Sequence, residues 1–149
     1  MQPRNKEYTV GLLKEEGLFL RDRTIIAVSK LNDGNFRRTE CNLLKKMVKI
    51  MYKGKWRSFC FPPNSDNNVV IDLPSEGLSF EGYSLSNSLF GYGTLINEDN
   101  DVIYQGILVN KKKECFGTEF YPNLGIVEYC GCFWNNKRHG YGMLYDRKG

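Results

Sequence analysis

Histidine occurs once in this chain of 149 residues and proline five times. No stretch reaches the roughly 18 consecutive apolar residues that a membrane-crossing helix needs. The opening residues, Met1-Gln2-Pro3-Arg4-Asn5-Lys6-Glu7, contain no apolar core of a secretory leader, and Glu7, Glu15 and Glu16 argue against a transit peptide. We therefore expect an intracellular chain: cytoplasmic, cytoskeletal or membrane-associated. Gly-x-Ser-x-Gly is missing, and the serines have no base motif near them. Gly91-Tyr92-Gly93 has neither a third glycine nor a helical pattern after it, so it is no dinucleotide or phosphate loop. Asn97-Glu98-Asp99-Asn100-Asp101 has no glycine at the sixth place of a calcium loop and no closing glutamate. These absences point away from an enzyme, and no cofactor is expected.

The five cysteines are odd in number, and without a leader free thiols are expected. Cys130-Gly131-Cys132 with Cys115 does not have the paired Cys-x-x-Cys spacing of a zinc site, so no metal is expected. Nine tyrosines and nine phenylalanines favour β-structure.

The C-terminal half repeats itself. Phe80-Glu81-Gly82 precedes Gly91-Tyr92-Gly93, Tyr104-Gln105-Gly106 precedes Cys115-Phe116-Gly117, and Tyr129-Cys130-Gly131 precedes Gly140-Tyr141-Gly142. The units begin 24 and then 25 residues apart, with an aromatic at 0 and glycine at +2, +11 (once Cys115) and +13. Such a period marks stacked supersecondary units. Aromatic-x-Gly-x-apolar alternates as a strand does, which places Tyr129, Gly131 and Phe133 on one face and Cys130, Cys132 and Trp134 on the other. Polar turns at Ser86-Asn87-Ser88, Asn110-Lys111-Lys112 and Asn135-Asn136-Lys137 close each hairpin. The glycines leave gaps that aromatic rings of neighbouring units are expected to fill. One hairpin buries too little to stand alone, so the units must stack.

The run Tyr129-Cys130-Gly131-Cys132-Phe133-Trp134-Asn135-Asn136-Lys137-Arg138-His139-Gly140-Tyr141-Gly142 resembles a MORN repeat (membrane occupation and recognition nexus). The first unit matches that pattern at Phe80, Gly82, Gly91 and Gly93, and the second at Tyr104, Gly106 and Gly117. The resemblance implies a twisted antiparallel meander and a role in scaffolding, partner binding or membrane attachment, with no catalysis. Arrays similar to this also precede lysine methyltransferase and phosphoinositide kinase domains, which would make the chain the regulatory front of a longer enzyme.

The expected fold is all-β: an elongated, twisted antiparallel meander of stacked hairpins. Residues 80–103, 104–128 and 129–149 form its three repeats, and residues 1–79 a divergent β-rich part. Within that part Tyr8 to Leu13, Leu18 to Leu20 and Thr24 to Val28 read as strands, with a turn at Asn32-Asp33-Gly34-Asn35. This region either continues the meander or caps its first edge. Asn42 to Lys53 fits a helical face through Leu43, Leu44, Met47, Val48 and Met51. It fits a strand through Val48, Ile50 and Tyr52 as well, and the strand is favoured. A degenerate repeat is expected over about 52–73, with Val69 to Leu73 as its return strand.

Between Arg37 and Arg57 stand eight basic residues (Arg37, Arg38, Lys45, Lys46, Lys49, Lys53, Lys55, Arg57) against the single acid Glu40. Such a cluster would attract an anionic surface, with phospholipid the leading case. Nucleic acid is disfavoured, because a net charge of +4 is modest and no binding-fold signature is present. The leading functional expectation is an interaction module that engages a partner protein through an exposed aromatic-glycine face. Its anchors would be Phe80, Tyr92, Tyr104, Phe116, Tyr129, Phe133, Tyr141 and Leu144. The last strand, Gly140 to Tyr145, has no following strand in this sequence. We expect it to be an open edge, covered by further chain or by a partner.

Overall fold

A computed structural model describes residues 16–52, 54–60, 68–85 and 89–148. Alternating patterns fold into strands throughout: β1 (Gly17–Arg21), β2 (Thr24–Lys30), β3 (Phe36–Asn42), β4 (Met47–Tyr52), β5 (Lys55–Cys60), β6 (Asn68–Leu73), β7 (Leu78–Ser84), β8 (Phe90–Asn97), β9 (Val102–Val109), β10 (Lys112–Phe120), β11 (Val127–Trp134) and β12 (Lys137–Leu144). A short 3-10 turn, Pro74–Glu76, joins β6 to β7 and is closed by Gly77 at φ 67°. No helix among the described residues is long and apolar enough to cross a membrane.

The strands form two antiparallel meanders, β1-β2-β3-β4-β5 and β6-β7-β8-β9-β10-β11-β12. The all-β expectation is met. Leu43 to Lys46 is a turn and β4 follows it, so the strand reading of this stretch is the correct one. The segment Tyr8 to Leu13 lies outside the described residues. The degenerate unit over 52–73 is divided between the sheets: Tyr52 ends β4, whose hairpin partner is β5, whereas Val69 to Leu73 pairs with β7. The repeat sheet therefore begins at β6 and not at Phe80. The first sheet neither continues the meander nor caps its edge. It packs across a face of the second, with β2 and β3 lying over β10.

Two-residue turns close the hairpins where both central residues adopt positive φ. Asn110 and Lys111 lie at 52° and 66°, and Asn135 and Asn136 at 52° and 72°. This is the turn whose twist matches that of the strands. The two turns sit side by side, as stacking requires: Lys113 N donates to Asn136 Oδ1 at 3.1 Å, and Asn136 N to Lys113 O at 3.0 Å.

Six glycines align in a row straight across the second sheet: Gly82, Gly93, Gly106, Gly117, Gly131 and Gly142. Over this row lie the rings of the repeats, each on its own unit and not on a neighbour as expected. A Cβ at Gly93 would lie 2.6 Å from the Phe80 ring, one at Gly106 would lie 2.7 Å from Tyr104 Oη, and one at Gly131 would lie 2.8 Å from Tyr129 Oη. Tyr104 Oη donates to Ile107 O and Tyr129 Oη to Cys132 O, both at 2.8 Å. The rings then meet edge to face, Phe133 standing 5.4 Å from Tyr104 and 5.3 Å from Tyr129. Tyr129 and Phe133 belong to this outer cluster, while Cys132 and Trp134 pack toward the first sheet, as strand alternation required.

Between the sheets lies the larger core. Leu18, Ile25, Ala27, Cys41, Val48, Ile50 and Phe59 from the first sheet meet Phe90, Ile107, Val109, Cys115 and Cys132 from the second. Trp134 Nε1 donates to Val28 O at 3.2 Å. Cys115 holds the +11 position that glycine occupies in the other units, at φ 64°, and its thiol reaches Thr39 O at 3.5 Å. Among the described residues one ion pair spans the interface: Arg37 Nη2 lies 3.0 Å from Glu114 Oε2, and Glu114 Oε1 accepts from Asn135 N at 3.0 Å.

Candidate interaction surface

The aromatic-glycine face is not available to a partner. Phe80, Tyr104 and Phe133 are fully buried and Tyr129 nearly so: glycine's missing Cβ lets Phe80, Tyr104 and Tyr129 fold down on their own hairpins, and Phe133 packs edge to face between the two tyrosines. Cations roof the rings. Lys113 Nζ stands 5.2 Å over Tyr104, and the Arg138 guanidinium 4.8 Å over Tyr129. Glu119 holds both cations at 2.5 Å, and Glu128 holds Arg138 at 3.1 Å. Burial pushes the Glu119 carboxyl pKa up, but the hydrogen bonds from Lys113 and Arg138 outweigh it and leave it below the ordinary value. Tyr92 and Phe116 are half-buried against the inter-sheet core. Of the eight expected anchors, only Tyr141 and Leu144 are exposed.

The basic cluster does not form one patch either. Arg37 is buried on Glu114, and Arg38 lies 2.7 Å from Glu40. Alternation divides the remainder: Lys49 opposes Glu40 and Ser58 on the outer face of the first sheet, while Arg57 and Lys55 oppose Ile50 and Tyr52 on the inner face. Lys45 and Lys46 are exposed on the β3–β4 turn, and Lys53 lies outside the described residues. Counting charges along the chain missed this because neighbours on a strand point opposite ways. His139 rests 5.5 Å from the Trp134 ring.

An open surface exists instead at the end of the repeats. β12 is the last strand of its sheet and, among the described residues, its backbone ladder runs to β11 alone. Tyr141 is 52% exposed, Met143 62% and Leu144 71%. Beside β12 a groove of about 730 Å³ opens between residues of the two sheets. Leu20, Leu43 and Leu44 from the first sheet form one wall, and Phe116, Tyr141 and Met143 from the second form the other. Arg23 is the charged residue among those lining it. Leu43 and Leu44, first read as a candidate helix face, are placed here by the β3–β4 turn.

The thiols are placed for structure. Burial pushes Cys41 up to about 12, with the nearby Cys132 adding to the shift, and burial raises Cys115 and Cys132 too. A raised pKa removes the thiolate, which is the reactive form. Among the described residues no three His, Cys, Asp or Glu side chains gather to hold a metal. Iodoacetamide at mildly alkaline pH is therefore expected to label exposed Cys60 first, and to reach Cys41 and Cys115 only on unfolding. Site-resolved mass spectrometry reads this, and labelling of Cys41 as fast as Cys60 would contradict it.

No protein-family model matches the chain, and neither a curated protein nor a solved structure matches it.

Proposed function

We propose that this chain is a non-enzymatic scaffold module that binds a protein partner through β12 and the adjoining groove. The observation that carries this reading is the edge itself. Among the described residues no strand pairs with the outer side of β12, and such an edge with exposed Tyr141, Met143 and Leu144 is a template for another chain. Rigidity supports it: the glycine row, the stacked turns and the Lys113–Glu119–Arg138 roof hold β12 in place with little to order on binding. The resemblance of the three units to MORN repeats supports the same reading.

A photo-crosslinking residue at position 143, in cells expressing the chain, should give discrete protein adducts. The same residue at exposed position 81 should not. Leu144→Lys should abolish the adducts by placing a charge on the edge while sparing the first two units. Absence of adducts from positions 141 and 143 alike would overturn the reading.

A further inference from the structure

We propose that the partner of β12 is β12 of a second copy, so that two chains join across a two-fold axis normal to the sheet into one continuous sheet. This rests on the reading of β12 as the binding edge and names its occupant. The argument begins with side chains. Met143 and Leu144 are neighbours on a strand and so point to opposite faces, yet they are 62% and 71% exposed. Inside a sheet the side chains on both faces of a strand are flanked by those of a strand on either side, and an edge strand lacks one of these flanks. One sheet face packed on a partner would cover one of them, and only lateral pairing places neighbouring strands beside both.

The register follows from the backbone. Tyr145 N donates to Glu128 O at 2.9 Å, on the far side of the facing pair Leu144 and Tyr129. Antiparallel geometry then turns the backbone groups of Leu144 and Gly142 away from β11, toward the open edge. Two copies of one strand pair symmetrically about such an outward residue. Placing Gly142 against Gly142 of the second copy continues the row of six glycines through the axis, in the same alternation of hydrogen-bonded and non-hydrogen-bonded pairs.

That register has side-chain consequences that agree with it. Tyr141 falls opposite Met143 of the other copy on the groove face, so two exposed apolar residues from each chain bury one another. Leu144 falls opposite Gly140, where there is no side chain to obstruct it. The two grooves come together beside the axis, on one face of the joined sheet. The other edge strand, β6, also carries exposed Val69 and Val70, but it takes no part in this joint.

Sedimentation equilibrium of the full chain tests the proposal. The expected species is a dimer of twice 17.2 kDa that dissociates on dilution. Leu144→Lys acts twice across the axis and should raise the dimer dissociation constant about a hundredfold. Val70→Lys, on the opposite edge, should leave it unchanged. The Tyr141→Cys, Met143→Cys double variant should form inter-chain disulfides on mild oxidation, because non-hydrogen-bonded antiparallel pairs bring Cα atoms to about 4.5 Å, within disulfide range. Near-ultraviolet circular dichroism verifies that each variant is folded. A chain that stays monomeric at high concentration overturns the proposal, as does a dimer indifferent to Leu144→Lys or lost with Val70→Lys. A monomer whose position 143 still crosslinks to a different protein removes this inference and leaves the proposed function standing.

Discussion

Glu114→Ala is expected to lower stability by about 3–5 kcal/mol, the usual cost of stranding one member of a buried ion pair. Arg37 and Glu114 are 5% and 1% exposed, and their 3.0 Å contact is the ion pair joining β3 of the first sheet to β10 of the second. Removing the carboxylate leaves a guanidinium between two sheets and takes the acceptor from Asn135 N. In a domain of this size the loss corresponds to a fall in melting temperature of roughly 10 °C. The double variant Arg37→Met, Glu114→Leu should recover most of it, since an apolar pair replaces two desolvated charges at little net cost. Burial is the larger influence on Glu114 and raises its pKa, against the pull of Asn135 N–H and Arg37. A carboxyl whose folded pKa lies above its unfolded one favours the fold below the ordinary glutamate range. That contribution is lost as pH rises through the folded value. Glu114→Gln should remove this part of the pH dependence in denaturant titrations. A Glu114→Ala loss under about 1 kcal/mol, or no recovery in the double variant, would show that water reaches the pair.

Gly117→Ala is expected to cost about 3 kcal/mol, at the upper end for overpacking. The added methyl would lie 2.5 Å from Tyr104 ring carbons. That ring is fully buried, tied through its hydroxyl to Ile107 O and roofed by Lys113, so it has nowhere to go. Combining the change with Tyr104→Leu should restore part of the loss, giving a coupling energy that additive effects would not produce. Thr118→Ala next door should be mild. Additive behaviour of Gly117→Ala and Tyr104→Leu would mean that the ring does not rest on the glycine row.

Much of the fold was legible where one residue type has one use. Asparagines at 110, 135 and 136 marked tight turns because they tolerate positive φ, and all three adopt it. Alternation from Tyr129 to Trp134 told the two faces apart correctly. What was not legible depends on pairing. That Tyr104 covers Gly117 follows only once Gly106 and Gly117 are known to be cross-strand partners, and without this the rings read as an exposed face. The burial of Arg37 depends on Glu114, which is 77 residues away. Val69 to Leu73 looked like the return of the preceding strand because it is adjacent in sequence, but it belongs to the sheet that follows. At the candidate site, Leu144 and Tyr141 were found from the open-edge argument. Leu20, Leu43 and Leu44 were not, because only the packing of one sheet on the other brings them there.

The meander order has a kinetic consequence. Among the described residues every strand pairs only with its neighbours in the chain, so each hairpin closes a short loop and its entropy is recovered at once. The exception is the joining of the sheets, where Trp134 meets Val28 across 106 residues and Cys115 meets Thr39 across 76. The two meanders can therefore zip up independently, with docking as the late event. Contacts made late are broken early, so the Trp134 and Arg37–Glu114 contacts set how long the native state survives and have little influence on how fast it forms.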